Sequence, residues 1–190
     1  MMRRVLNTGI NKMSLNCQWK QPDAFALSCG VLTDWLLHTG SLTERLKSHC
    51  RQFVVTVLQE SAVTITPDEQ KCLELQQPEA IRRDVILTGD GVPWVYASSL
   101  MSPALYHLQS KGLSTLGNQP LGAVIFNDPQ FIRQPFELAI VPSNENIPSL
   151  QGDFPHELWA RRSVFRFEQH HMMVTECFLP QSPAYIHYGV

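Results

Sequence analysis

Arg83 and Glu176 are the two charged residues whose positions in this sequence are hardest to reconcile with a packed core. Side chains alternate across a strand, so in MMVTECFL (172–179) Met172, Val174, Glu176 and Phe178 share one face. Met173, Thr175, Cys177 and Leu179 share the other, and neither face is polar. Arg83 lies on the side of Val85 and Leu87 in its own strand. An unpaired charge in such surroundings is costly, so the two either neutralise one another or hold a polar ligand. Arg83 offers a planar fork suited to a carboxylate, with Glu176 or Asp84 as structural partners if no ligand is involved. Glu176 can accept a hydrogen bond from a hydroxyl, relay a proton, or simply balance Arg83.

Two helix starts add neutral donors. Ser41-Leu42-Thr43-Glu44 fits an S-x-x-E capping box, which puts Leu42 at the first helical position with no helical acceptor for its N–H. Pro120 opens a short helical segment over Leu121–Phe126, and the N–H of Leu121 is left in the same condition. Such groups suit a carboxylate, although caps or water satisfy them in most helices. Other groups rank lower. Of Arg161-Arg162 one is expected to face solvent, with surface pairing favoured over a second anion contact. His170-His171 falls at a hairpin turn, exposed, with no third ligand to make a metal site. His49 and Cys50 lack a nucleophile–base context, and Ser98-Ser99 lies outside any G-x-S-x-G elbow. The sequence contains neither a P-loop nor G-x-G-x-x-G, so no cofactor motif is present.

These residues need elements to position them. A short helix over Asp34–Leu37 and the apolar residues before it ends near Gly40, and a second runs from the Ser41 cap to about His49. Arg51–Gln59 and Ala62–Thr66 read as the two strands of a hairpin. Thr66-Pro67-Asp68-Glu69 is another capping box, heading a short helix. Strand Arg83–Thr88 turns through Gly89-Asp90-Gly91 into Trp94–Leu100, Asp-Gly being a strong hairpin signal. Ser102-Pro103 caps a helix to about Ser110, and Phe136–Val141 reads as a strand. Residues 142–157 form the longest turn-rich stretch, and Ser163–Glu168 and Met172–Leu179 are the last strands. Adjacent hairpins with a few short helices predict an α+β domain with a largely antiparallel sheet. Residues 1–20 lack periodicity and read as a poorly ordered extension, with the domain over 21–190.

The bulk composition narrows the function classes. The 190 residues suit one domain with a full core, and a formal net charge of -2 gives no pull toward nucleic acid or an anionic membrane. Five scattered cysteines without a C-x-x-C pair point to a reducing cytoplasm. The start has no apolar h-region and no stretch reaches 18 apolar residues, so neither a signal peptide nor stable membrane insertion is expected.

Taken in order, DWLLHTGSLTERL (34–46), RRDVILTGDGVPWVYA (82–97), QPLGAVIF (119–126), LWARRS (158–163) and VTECFLPQSPAY (174–185) resemble the chorismate pyruvate-lyase family of ubiquinone biosynthesis. The resemblance spans residues 34 to 185 and leaves both ends uncovered. It implies an α+β antiparallel-sheet fold whose short helices enclose a buried ligand pocket. It also implies a lyase that converts chorismate to 4-hydroxybenzoate and pyruvate, the first committed step toward ubiquinone, as a cytoplasmic monomer with no cofactor and no metal. The family's product-binding arginine falls on Arg83 and its glutamate on Glu176, while its two main-chain contacts fall on Leu42 and Leu121. The region around Leu42 or the 142–157 loop is the expected gate. The alternative is a non-catalytic effector-binding domain for a hydroxybenzoate-like molecule. Such domains normally follow a helix-turn-helix module, for which this N-terminal stretch is short.

Overall fold

The register of the structure is set at Asp90-Gly91. Both residues have positive φ (48° and 82°), the conformation of a two-residue hairpin turn whose twist matches the flanking strands. The Asp90 carboxylate accepts the backbone N–H groups of Arg51 and Gln52 at 3.0 and 2.8 Å, tying the hairpin to the chain entering the sheet. The computed structural model describes residues 15, 17–28, 30–142, 145, 147 and 157–185. Within them, β1 (Phe53–Thr64), β2 (Glu79–Gly89), β3 (Val92–Met101), β4 (Ile132–Arg133), β5 (Glu137–Val141), β6 (Leu158–Phe167) and β7 (His170–Phe178) form one antiparallel sheet. The order is β1-β2-β3-β7-β6-β4, with β5 also paired to β6. Five short helices decorate it: α1 (Val31–Leu36), α2 (Leu42–Lys47), α3 (Pro67–Cys72), α4 (Pro103–Tyr106) and α5 (Gly122–Ile125). This is the expected α+β class, and no helix among the described residues is long and apolar enough to cross a membrane.

Several sequence expectations need correction. Residues 53–64 make one long strand, not a hairpin, and Gln59-Glu60-Ser61 contains no Gly, Pro, Asn or Asp to set a tight turn. The ladder instead contains a β-bulge: Val57 pairs with Val85 but Gln59 with Asp84, and the extra residue, Leu58, is exposed. Strand β6 begins five residues before the expected Ser163, at Leu158. The helix capped by Ser102 ends at Tyr106 and is followed by a separate 3₁₀ turn at Gln109–Lys111. His170 and His171 are half-buried at the start of β7, not exposed. Most of the 142–157 loop lies outside the described residues, as do residues 1–14. Leu15, Cys17 and Trp19 pack against the sheet, and Lys20 exchanges backbone bonds with Leu138.

Both sheet faces are buried. On one lie two apolar clusters, around Trp35, Leu46, Val85, Ala97 and Phe178, and around Met101, Leu105, Ile125, Phe165 and Val174. On the other lie clusters around Ile86, Tyr96, Leu158 and Cys177, and around Ile65, Leu73, Leu100 and Met173. With no solvated face, the strands are near-continuously apolar, and every charged residue in them needs a partner.

Gly89 shows how close this packing is. A Cβ built there would meet the Trp94 ring at 2.1 Å, and Trp94 is buried. Gly89→Ala is therefore expected to cost about 1–3 kcal/mol through overpacking. Chemical denaturation should show a lower midpoint with an unchanged slope.

Candidate active site

A cavity lies on the first face of the sheet, where the two apolar clusters meet, and its floor is β2, β3 and β7. Arg83 is in register with Ser99 of β3, and Ser99 with Val174 of β7. Glu176 is in register with Ala97, and Ala97 with Val85. Arg83 and Glu176 therefore stand two strands and two residues apart, about 12 Å between their Cα atoms. The small side chains of Ala97 and Ser99 lie between them. Among the cavity's lining are Arg83, Glu176, Leu42, Leu121, Arg133 and Phe126. The four residues singled out from the sequence are thus placed around one space of about 50 Å³.

At the Arg83 pole the guanidinium is held in place by the protein itself. Nη1 donates to a carboxylate oxygen of Glu60, whose other oxygen accepts from the Tyr106 hydroxyl. Nη2 donates to the carbonyls of Gly117 and Gln119 at 2.7 and 3.2 Å, while Nε–H has no acceptor among the described residues. Hydrogen bonding to Glu60 pushes the Tyr106 pKa up. The bulge at Leu58 is what brings Glu60 here: with one extra residue in β1, Glu60 and not Gln59 shares the face of Arg83. Gln59 bonds Asp84 on the other face at 2.7 Å.

The carbonyls bound by Arg83 belong to the loop that leads into α5, so the arginine also holds the segment carrying Leu121. Neither the Leu121 nor the Leu42 N–H has an acceptor among the described residues. Ser41 caps α2 by accepting from Glu44 N–H at 3.3 Å. The starts of α2 and α5 approach closely, because a Cβ on Gly122 would sit 3.3 Å from the hydroxyls of both Ser41 and Thr43. Leu42 and Leu121 therefore border the cavity from its covering side.

At the other pole Glu176 receives Arg161 Nε at 2.6 Å. Arg161 is fully buried, and its Nη1 donates to the carbonyls of Trp35, Leu36 and His38 at 2.9, 3.2 and 2.9 Å, satisfying the end of α1. Its Nη2 is buried with no partner among the described residues. Arg133, from β4, donates through Nε to Ser163 Oγ and through Nη1 to the Thr39 carbonyl, both at 3.0 Å. Its guanidinium packs on the rings of Phe136, Phe165 and Phe126 at 4.3, 5.0 and 5.3 Å. Burial pulls its pKa down to about 10; nearby Glu176 opposes the shift and Arg161 adds to it.

Arg83 and Glu176 are therefore not a mutual ion pair: each has its own partner, Glu60 and Arg161. Nor does either of Arg161 and Arg162 face solvent. Consecutive residues point to opposite faces, both faces are buried, and Arg162 is bound by Asp68 and Glu137 at 2.7 and 2.8 Å. A larger cavity of about 370 Å³ lies on that second face, beside Arg162, Thr175 and Ser98. Its arginine is already neutralised twice and stacked 4.8 Å from Trp19. Sequence reasoning missed Glu60 and Arg133 as site residues and ranked Arg161 too low. Glu60 was hidden by the bulge, and Arg133 sits in a two-residue strand that has no periodicity to read.

The chain matches the family model described as chorismate lyase over residues 13–190. A probable chorismate pyruvate-lyase from Pseudoalteromonas atlantica is 41% identical over 173 residues, covering 88% of each chain. One from Shewanella amazonensis is 39% identical, covering 88% of this chain and 90% of the relative. Among solved structures, PhnF from Mycobacterium smegmatis aligns with a TM-score of 0.57 over 80% of this chain and 71% of its own, at 17% identity. The ligand-binding domain of a putative GntR-family regulator from Bordetella bronchiseptica aligns at 0.54 over 69% and 86%, at 14% identity. At these identities the two structures share the fold alone. The sequence relatives and the family model carry the assignment: this chain belongs to the chorismate lyase family.

Proposed function

We propose that the protein is a chorismate pyruvate-lyase that cleaves chorismate to 4-hydroxybenzoate and pyruvate. The observation that carries the reading is the pairing of a cationic and an anionic pole across one cavity floor, in a chain of this family. Chorismate and its aromatic product each carry a ring carboxylate opposite a hydroxyl. The Arg83 end, with its unused Nε–H and the amides of Leu42 and Leu121, receives the carboxylate. Glu176 at the far end accepts the hydrogen bond of the 4-hydroxyl, and Arg161 holds its carboxylate in place.

The reaction balances without a co-substrate. The bond between ring carbon 3 and the ether oxygen breaks with its electrons leaving on enolpyruvate. The proton on ring carbon 4 is lost, and its bonding pair completes the aromatic ring. Enolpyruvate gains one proton at its methylene carbon and becomes pyruvate. Aromatisation makes the products favourable, so the protein's task is to hold the ring in the eliminating geometry. Positioning contributes up to about 7–11 kcal/mol in ideal cases. Cationic groups near the departing oxygen add electrostatic stabilisation. In this reading Glu176 anchors the ring and moves no proton, because the ring proton passes within the substrate to the enolpyruvyl methylene. A cavity of about 50 Å³ is far below the ~300–1,000 Å³ usual for ligand sites, so binding displaces the cover formed by the starts of α2 and α5.

Three outcomes test this. Purified protein incubated with chorismate should release pyruvate and 4-hydroxybenzoate in equal amounts; binding of 4-hydroxybenzoate without pyruvate would make it a sensor. Arg83→Ala removes charge-assisted bonds worth about 1.5–3 kcal/mol and should weaken 4-hydroxybenzoate binding by roughly 10- to 150-fold in calorimetric titration. Unchanged affinity would defeat the carboxylate clamp. Glu176→Gln should keep turnover within about tenfold, whereas a general acid–base role would cost about 10²–10⁴-fold.

A further inference from the structure

The charged groups lining the cavity do not balance. Arg83 is opposed by Glu60 and Glu176 by Arg161, but Arg133 forms no ion pair among the described residues. Its two hydrogen bonds go to neutral acceptors, Ser163 Oγ and the Thr39 carbonyl, and Nη2 makes none to the described residues. A cation held among three phenylalanine rings is a site that gains from an anion. The lyase reading, on which this inference rests, assigns Arg83 and Glu176 to the ring carboxylate and the hydroxyl. It leaves the second carboxylate of chorismate, on the enolpyruvyl side chain, without a partner.

The placement of Arg133 fits that group. The enolpyruvyl ether is attached to the ring carbon next to the one bearing the hydroxyl and lies further from the ring carboxylate. Ser163, which Arg133 contacts, is in register with Val174, two residues from Glu176 on the same face. From Ser163 to Glu176 is one strand and two residues, about 8 Å between Cα atoms, whereas Arg83 is three strands away, about 14 Å. The unpaired cation thus stands beside the pole that receives the hydroxyl. We infer that Arg133 binds the enolpyruvyl carboxylate of the substrate, a contact that the aromatic product cannot make. It holds the leaving group while the ether bond breaks, and its charge opposes the negative charge that develops there.

The test exploits that asymmetry. Arg133→Gln should lower kcat/KM for chorismate by about 10- to 150-fold, the loss of a charge-assisted contact, while 4-hydroxybenzoate affinity stays within about threefold. The aromatic dicarboxylate 3-(carboxymethoxy)-4-hydroxybenzoate should bind the native protein more tightly than 4-hydroxybenzoate and lose that advantage in the variant. Arg133→Lys keeps the charge and the aliphatic stem, and should fall between the native protein and Arg133→Gln in kcat/KM. It carries the same test if the glutamine variant does not fold. An unchanged kcat/KM, or equal losses for substrate and product, would overturn the assignment while leaving the lyase reading intact. Failure of the native protein to convert chorismate would overturn that reading and this assignment with it.

Discussion

A charge placed inside a two-faced sheet has to be neutralised where it stands, and the candidate site is organised around that demand. Two arginine pairs, Arg82-Arg83 and Arg161-Arg162, sit in different strands, and strand alternation sends one member of each pair to each face. On the far face Arg82 meets Glu69 at 2.9 Å and Arg162 meets Asp68 and Glu137. On the near face Arg83 meets Glu60 and Arg161 meets Glu176. Where both partners are buried, as in Arg82–Glu69, removing one strands the other, at a cost of about 3–5 kcal/mol. The carboxylates are therefore as much a part of the fold as of any chemistry.

This arrangement separates what is rigid from what yields. Arg83 and Glu176 project from central strands paired on both sides, so their spacing is set by strand separation and pleat, not by a loop. The covering groups come from helices of four and six residues with few bonds to the sheet. The two charged poles thus stand on the stiff layer, and Leu42 and Leu121 on the light one.

Much of this was legible in the chain and some was not, for identifiable reasons. Local signals held: alternation in β7 put Glu176 among apolar neighbours, Asp90-Gly91 gave the hairpin, and Ser41, Thr66 and Ser102 capped the helices expected of them. Non-local choices were hidden. Nothing near Arg83 in sequence indicates that Glu60 is its partner, because a single bulged residue decides which side chain of β1 faces it. The fate of Arg162 depends on whether the second face is covered, and α3 with Leu15, Cys17 and Trp19 covers it, information that no strand carries about itself. Arg133 lies in a stretch too short to have a period.

The connection between α1 and α2 has a bearing on how this site changes over time. Arg161 and Arg133 hold it through the main-chain oxygens of Trp35, Leu36, His38 and Thr39, not through side chains. Carbonyl oxygens are the same in every amino acid. At His38 and Thr39, which lie outside the core, one residue can replace another over generations with the grip of the arginines unaltered. A survey that ranked positions by residue identity would pass over this segment, although it ties both of those arginines to the start of α2.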